Sequence, residues 1–259
     1  DIYGWNGGRT RNIADFLAGE GYYVVVPKLL CPPIDGGTDG DGFAAWVDMN
    51  HFLENIRKFP YDGNIDSKIH STVAHVKAQG VEFIGIIGFC WGGWVGAHAV
   101  SDSSPVAADI KALLIGHPSC HLEAAFGGSA QTLFDRITVP TLLLPANGDP
   151  QEYDEDGSWF VSVKSRFGTS KSRRFPDVEH GFIPRGDINI PEKKEAVDQA
   201  LEEFVSFLRA HEQTISISHF ITLSGHTKTY FFAILFAISI RYIFAHFILT
   251  FHAKSNNYS

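Results

Sequence analysis

The chain alternates between short strand-like runs and segments with apolar residues at helical spacing. Predicted strands cover residues 22–27, 83–87, 110–116, 139–145 and 172–175. All but the last are apolar runs that suit fully buried parallel strands. Predicted helices cover residues 9–18, 65–79 and 153–167, and a last one begins at Pro191. This alternation predicts one α/β domain, in which helices cover both faces of a mostly parallel sheet.

Two stretches with turn-forming residues are predicted to be loops. They are residues 30–42, which are rich in Pro, Gly and Asp, and residues 177–182. In parallel sheets, ligands bind beyond the carboxyl ends of the strands. Cys90, Asp149 and His180 each lie just after a predicted strand, so we expect one edge of the sheet to present all three.

The segment VEFIGIIGFCWGGWVG, residues 81–96, carries the most specific pattern in the chain. A buried strand leads directly into GFCWG, residues 88–92, and a helix is predicted from residue 94. A nucleophile elbow places its reactive side chain on such a strained turn, with small residues two positions before and after it. Cys90 occupies the nucleophile position, where a thiol is competent once a nearby base ionises it. The alternative is a buried cysteine beside an ordinary glycine turn.

A thiol nucleophile needs a base to accept its proton and an acid to orient that base. The α/β-hydrolases supply these groups in the order nucleophile, acid, histidine, and Cys90, Asp149 and His180 follow that order. Asp149 is preferred because the turn NGDP, residues 147–150, lies at a strand end. For His180 the alternative is a solvated loop histidine. The rival acids are Asp154, Asp156 and Asp177.

The oxyanion of a tetrahedral intermediate needs two backbone N–H donors. At an elbow one donor comes from the residue after the nucleophile, here Trp91. The second is predicted in the loop at residues 1–4, with the Ile2 amide as donor. Candidate walls of an apolar pocket are Phe43, Trp46, Trp91 and Phe182. Each of these side chains is more readily explained as a core residue.

Composition narrows the classes of partner. The formal charge of −8, without a basic patch, argues against nucleic acid and anionic membrane surfaces, so a small-molecule substrate is expected. Three irregularly spaced cysteines predict neither a disulfide framework nor a zinc site, and they favour a reducing, cytoplasmic location. The chain starts at Asp1 without a visible signal peptide, as a fragment or a processed form would.

The last segment, residues 213–259, departs from the pattern of the domain at residues 1–212. Residues 230–251 are rich in Phe, Ile and Leu and long enough for a bilayer span of about 20 residues. Arg241 in their middle would cost roughly 2.5 to 3.5 kcal/mol on insertion scales. A membrane anchor, an appended non-native segment and an extra packed helix therefore remain three alternatives.

With these residues identified, the chain resembles the dienelactone hydrolase family, a cysteine branch of the α/β-hydrolases that includes carboxymethylenebutenolidase-like proteins. The similarity covers residues 1 to about 211, and the matching blocks are DIYGW, GYYVVVP, GFCWGG, HPS, the Asp149 turn and EHGFIPRGD. The resemblance implies an α/β-hydrolase fold with Cys90 as nucleophile, His180 as base and Asp149 as its orienting acid. Family members carry further strands before DIYGW, so the amino-terminal strands are expected to be missing from this chain.

The resemblance also implies two substrate-binding positions. Asp1 matches an acidic residue, usually glutamate, that keeps the thiol neutral until substrate arrives. Arg185 resembles an arginine that binds a substrate carboxylate, and a surface charge is the alternative.

We therefore expect a hydrolase that opens lactones or cleaves small esters through an acyl-enzyme, without a metal or an organic cofactor. One alternative is a binding or scaffold protein that keeps the fold without the activity. Another is a thioesterase or acyltransferase with the same nucleophile.

Overall fold

The structure is a computed structural model, and it describes residues 1–2, 4–5, 7–30, 54, 56–220 and 231–235. Most of the predicted loop at residues 30–42 lies outside these ranges, as does most of the tail.

A six-stranded sheet forms the centre of the molecule, and all of its neighbouring strands are parallel. The strands of the molecule are β1 (Tyr23–Val24), β2 (Phe83–Cys90), β3 (Ile110–Pro118), β4 (Thr141–Leu144), β5 (Ala146–Asn147), β6 (Lys171–Ser172), β7 (Phe175–Glu179) and β8 (Phe231–Leu235). The order in the central sheet is β1-β8-β2-β3-β4-β6, and a separate parallel pair is formed by β5 and β7. The predicted parallel sheet is confirmed.

Helices follow most of the strands along the chain, as the crossover connections of a parallel sheet require. They are α1 (Thr10–Gly19), α2 (Asp66–Lys77), α3 (Trp91–Ala99), α4 (Ala130–Asp135), α5 (Ser158–Arg166), α6 (Phe182–Arg185) and α7 (Pro191–Phe220). Short helical turns cover Tyr61–Ile65, Ala107–Asp109, Cys120–Phe126 and Gln151–Tyr153.

Each face of the sheet has its own apolar core, because successive side chains of a strand point to opposite faces. From β2, Ile84 and Ile86 belong to a core with α2, α3 and α5. Phe83 and Ile87 belong to a second core with α1 and α7. The prediction that helices cover both faces is thus confirmed, and β2 is buried along its whole length.

The region around residues 172–182 differs from its prediction. One strand was expected at residues 172–175 and a loop at 177–182, whereas the structure has β6, then β7, then α6 from Phe182. The chain changes partner between these strands, since β6 pairs with β4 and β7 pairs with β5. Only Phe175 and Val178 of β7 are buried, so this strand lacks the apolar run by which a central strand is found.

The tail contributes a strand to the central sheet, which none of the three alternatives for it included. Strand β8 lies between β1 and β2 and is parallel to both. Its sequence FFAIL is the apolar run that a strand with neighbours on both sides needs. Helix α7 continues past residue 213, where the tail was expected to begin. Within the described ranges, no helix combines the length and the apolarity that crossing a membrane would take.

The turn from β2 to α3 requires glycine at position 88, which gives a test of the packing. A Cβ atom on Gly88 would lie 2.3 Å from the Gly92 carbonyl oxygen and 2.6 Å from the Gly93 nitrogen. Because both atoms belong to the backbone, we expect Gly88→Ala to lower the free energy of unfolding by about 1 to 3 kcal/mol. Gly168→Ala is the matched control, since nothing lies within 4 Å of its Cβ position. Equal urea-denaturation midpoints for the two variants would contradict the argument.

Candidate active site

Cys90 lies at the junction of β2 and α3, in a strained backbone conformation. Its φ of 55° and ψ of −122° place a non-glycine residue where side chains are rarely found. Strain of this kind is kept where the surrounding structure imposes it, and it is frequent at functional sites. Here the buried β2 and the close contact of Gly88 with Gly92 impose it. The geometry is that of a nucleophile elbow, with the thiol at the carboxyl end of a central strand.

Asp149 and His180 meet at the same edge of the sheet. Asp149 Oδ1 lies 2.6 Å from His180 Nδ1, and Asp149 Oδ2 accepts a hydrogen bond of 2.8 Å from the Ala146 amide. The carboxylate is therefore fixed on its own turn and directed at one nitrogen of the imidazole, which leaves Nε2 facing the site. Of the rival acids, Asp154 pairs with Arg174, while Asp156 and Asp177 are exposed.

The Ser119 hydroxyl contacts both Cys90 and His180. Its Oγ lies 3.3 Å from Cys90 Sγ and 3.4 Å from His180 Nε2. Its amide also donates to the Cys90 carbonyl at 3.3 Å. Ser119 was not among the predicted site residues, although its position after a buried strand was a signal that could have identified it.

The charges in the site favour a thiolate at Cys90. Burial by itself raises the pKa of the Cys90 thiol, but the positive charge of His180, the nearby Arg185 and the Ser119 hydroxyl lower it to about 6. Burial works against the charged form of His180 as well. The thiolate and the Asp149 carboxylate nevertheless raise the pKa of His180 to about 10. Both shifts describe a thiolate and an imidazolium that stabilise each other at neutral pH.

His117 packs against the imidazole ring of His180. The rings of His117 and His180 meet edge to face with their centroids 4.8 Å apart. The ring of Phe89 stacks on His117, with a centroid distance of 5.8 Å. His117 is fully buried, and burial followed by the charge of His180 holds its pKa well below the usual range. A neutral ring therefore fills this position, without a second positive charge beside His180.

Arg185 forms a buried ion pair with Asp1, so the structure brings together the two residues that the resemblance marked for substrate binding. Arg9 holds the segment that carries Arg185, a contact that the sequence pattern did not indicate. The Arg9 guanidinium donates to three carbonyl oxygens, those of Phe182 at 3.0 Å, Ile183 at 2.9 Å and Gly186 at 2.5 Å.

The remaining predicted residues fall into two groups. Ile2 and Trp91 are buried in the same apolar cluster as Cys90, and Trp91 is the first residue of α3. Trp46 and Phe43 lie outside the described residues.

A cavity of about 240 Å³ opens beside His180 and is lined in part by Phe182, Arg185 and Lys193. In the described part of the chain, no group of three or more His, Cys, Asp or Glu side chains is arranged to hold a metal ion.

A family model and several known proteins are similar to this chain. A family model described as "Dienelactone hydrolase family" matches residues 1–212. The chain is 34% identical to a carboxymethylenebutenolidase homolog of Homo sapiens over 82% of this chain and 80% of that protein. It is 27% identical to the homolog of Xenopus tropicalis, over 82% and 79%. It is also similar to the structure of an acylaminoacyl peptidase of Pyrococcus horikoshii, with 14% identity, a TM-score of 0.43 and coverage of 62% and 29%.

The pairing of Cys90 with His180 predicts a specific pH dependence of thiol reactivity. We expect alkylation of Cys90 by iodoacetamide, followed by mass spectrometry of its peptide, to slow as pH falls through about 6, where the thiolate is protonated. In His180→Ala the midpoint moves up toward or beyond the ordinary thiol value of about 8.5, because burial then acts without the charge of His180 and only Arg185 and Ser119 still oppose it. His211→Ala, a histidine on α7 bonded to Thr169, serves as control and keeps the wild-type midpoint. An unchanged profile in His180→Ala would refute the ion pair.

Proposed function

Because this chain belongs to the dienelactone hydrolase family and is an ester hydrolase, we propose that it opens lactones or cleaves small esters through an acyl-enzyme on Cys90. The observation that carries the proposal is the convergence of three side chains from separate strand ends. Asp149 directs His180 at 2.6 Å, and Cys90 stands on the strained turn that His180 faces. This is the set of roles that covalent acyl transfer needs, namely nucleophile, base and orienting acid.

In the proposed reaction the Cys90 thiolate attacks the carbonyl carbon of the substrate, and the electron pair of the carbonyl moves onto its oxygen. The backbone amides of Trp91 and Ile2 donate hydrogen bonds to this oxyanion. When the tetrahedral adduct collapses, the bond to the alkoxy oxygen breaks and imidazolium Nε2–H of His180 protonates the leaving oxygen. For a lactone the leaving group stays attached to the acyl chain.

The second half of the reaction releases the acid. Neutral His180 accepts a proton from water, the resulting hydroxide attacks the thioester, and the Cys90 thiolate departs. Asp149 acts throughout by holding Nδ1–H of the imidazole, so that Nε2 is the nitrogen that exchanges protons. The low pKa of Cys90, about 6, also makes its thiolate a good leaving group in this step.

Arg185 is the proposed binding group for a substrate carboxylate. Its guanidinium lines the cavity beside His180 and is almost completely buried with Asp1. A guanidinium can hold two carboxylates at once, since it has five N–H donors in one plane. A carboxylate-bearing lactone would therefore bind Arg185 together with Asp1, and Phe182 would contact its apolar part. Substrates without a carboxylate would gain nothing from this contact.

The test of the proposal is turnover by the full chain of p-nitrophenyl acetate and of a dienelactone. We expect Cys90→Ala and His180→Ala to lower kcat by roughly 10³-fold or more, because the triad members act as a unit. Cys120→Ala, which removes a neighbouring buried thiol, should keep turnover within a few fold. A folded wild-type protein that labels at Cys90 but hydrolyses neither ester would instead favour the binding protein. Turnover of an acyl thioester in place of both would favour the thioesterase.

Replacement of Arg185 tests the carboxylate site separately from the chemistry. We expect Arg185→Gln to lower kcat/KM for the dienelactone carboxylate by about 10- to 100-fold, since a charge-assisted contact is lost. Hydrolysis of p-nitrophenyl acetate should change far less. Arg173→Gln is the control, because Arg173 pairs with Glu203 on the outside of the molecule. Equal losses with both substrates would show that Arg185 acts through the fold or through the ionisation of Cys90, and not on substrate binding.

A further inference from the structure

Ser119 contacts two reacting atoms that also interact directly with each other, although no role in the proposed reaction has been given to it. Its Oγ is 3.3 Å from Cys90 Sγ and 3.4 Å from His180 Nε2. The side chain is almost completely buried, so the hydroxyl has to find its partners inside the protein. A hydroxyl has one hydrogen to donate and lone pairs to accept, and it can thus serve both neighbours at once.

The backbone that brings Ser119 to Cys90 and His180 is strained. Residue His117 has a φ of 37°, and with Cys90 it is one of two non-glycine residues with positive φ in the described part of the chain. The register of β2 and β3 shifts at the same point, where Cys90 comes to lie beside Pro118. The Ser119 amide then donates to the Cys90 carbonyl. Two strained turns at adjacent strand ends therefore hold the nucleophile and the serine together, which ordinary packing would not require.

We infer that the Ser119 hydroxyl is a catalytic bridge through which Cys90 and His180 exchange a proton and by which their charged forms are held. The inference rests on the proposed function, because it takes Cys90 as nucleophile and His180 as base.

The bridge accommodates both charge states with the same three heavy atoms. In the neutral state Cys90 S–H donates to Oγ and the serine O–H donates to Nε2. On ionisation the S–H bond breaks as a new O–H bond forms, and the old O–H bond breaks as Nε2–H forms. One proton has then moved from sulfur to nitrogen, and the serine still carries one hydrogen. In the charged state Nε2–H donates to Oγ and the serine O–H donates to the thiolate.

Removal of the hydroxyl should therefore shift the ionisation of Cys90. In Ser119→Ala we expect the pH midpoint of Cys90 alkylation to rise by about one unit, which makes labelling about fivefold slower near pH 6 and about tenfold slower near pH 5. Ser119→Thr keeps the hydroxyl and should restore most of the wild-type profile. Ser101→Ala is the matched control, because Ser101 is equally buried but bonded to Ser103. Thermal unfolding followed by circular dichroism checks that each variant is folded.

The other titratable and charged groups around the pair are unchanged in these variants. They are Asp1, His117, Cys120, His121, Asp149 and Arg185. A shifted midpoint in Ser119→Ala that Ser119→Thr reverses, with Ser101→Ala unaffected, supports the bridge. A folded Ser119→Ala whose profile coincides with wild type overturns it, and if turnover still depends on Cys90 the proposed function stands. If Cys90→Ala retains full turnover, the proposed function fails and the bridge fails with it.

Discussion

The positive φ of Cys90 is the constraint on which the rest of the site depends. It exists because a buried strand passes into a helix without an intervening loop, and because glycine at position 88 lets the two backbones meet. The apolar cores on both faces of the sheet hold β2 and α3 in place against that strain. The packing of the domain thus fixes the direction of a single thiol.

Around that thiol, the neighbouring charges favour the thiolate of Cys90 and the imidazolium of His180. Burial would keep both Cys90 and His180 uncharged, yet each stabilises the charge of the other and Asp149 adds to the effect. Neutral His117 supports the imidazole without opposing its charge. The buried pair of Arg185 and Asp1 lies beside these groups, with Arg185 close enough to Cys90 to lower the pKa of its thiol.

Sequence reasoning was most successful where the signal is local. The elbow could be predicted because its requirements lie within residues 88–92, and the parallel sheet because its strands are apolar runs. Ser119 and Arg9 were missed, since their importance depends on contacts between distant segments. Ser119 meets Cys90 only through the register of β2 and β3, and Arg9 meets carbonyls more than 170 residues away. Strand β8 was missed for the same reason, because a short apolar run does not reveal which strands it will join.

The hydrogen bonds of Arg9 connect the start of α1 to the segment after His180. The Arg9 side chain donates hydrogen bonds to the carbonyls of residues 182, 183 and 186, and the Arg9 backbone amide donates to the Pro184 carbonyl at 2.7 Å. Anyone who recombines this enzyme with a relative would therefore have to transfer both segments together. A segment carrying Arg185 that is exchanged alone would arrive without the arginine that organises its backbone, and Arg185 would lose the support that fixes its position beside Asp1.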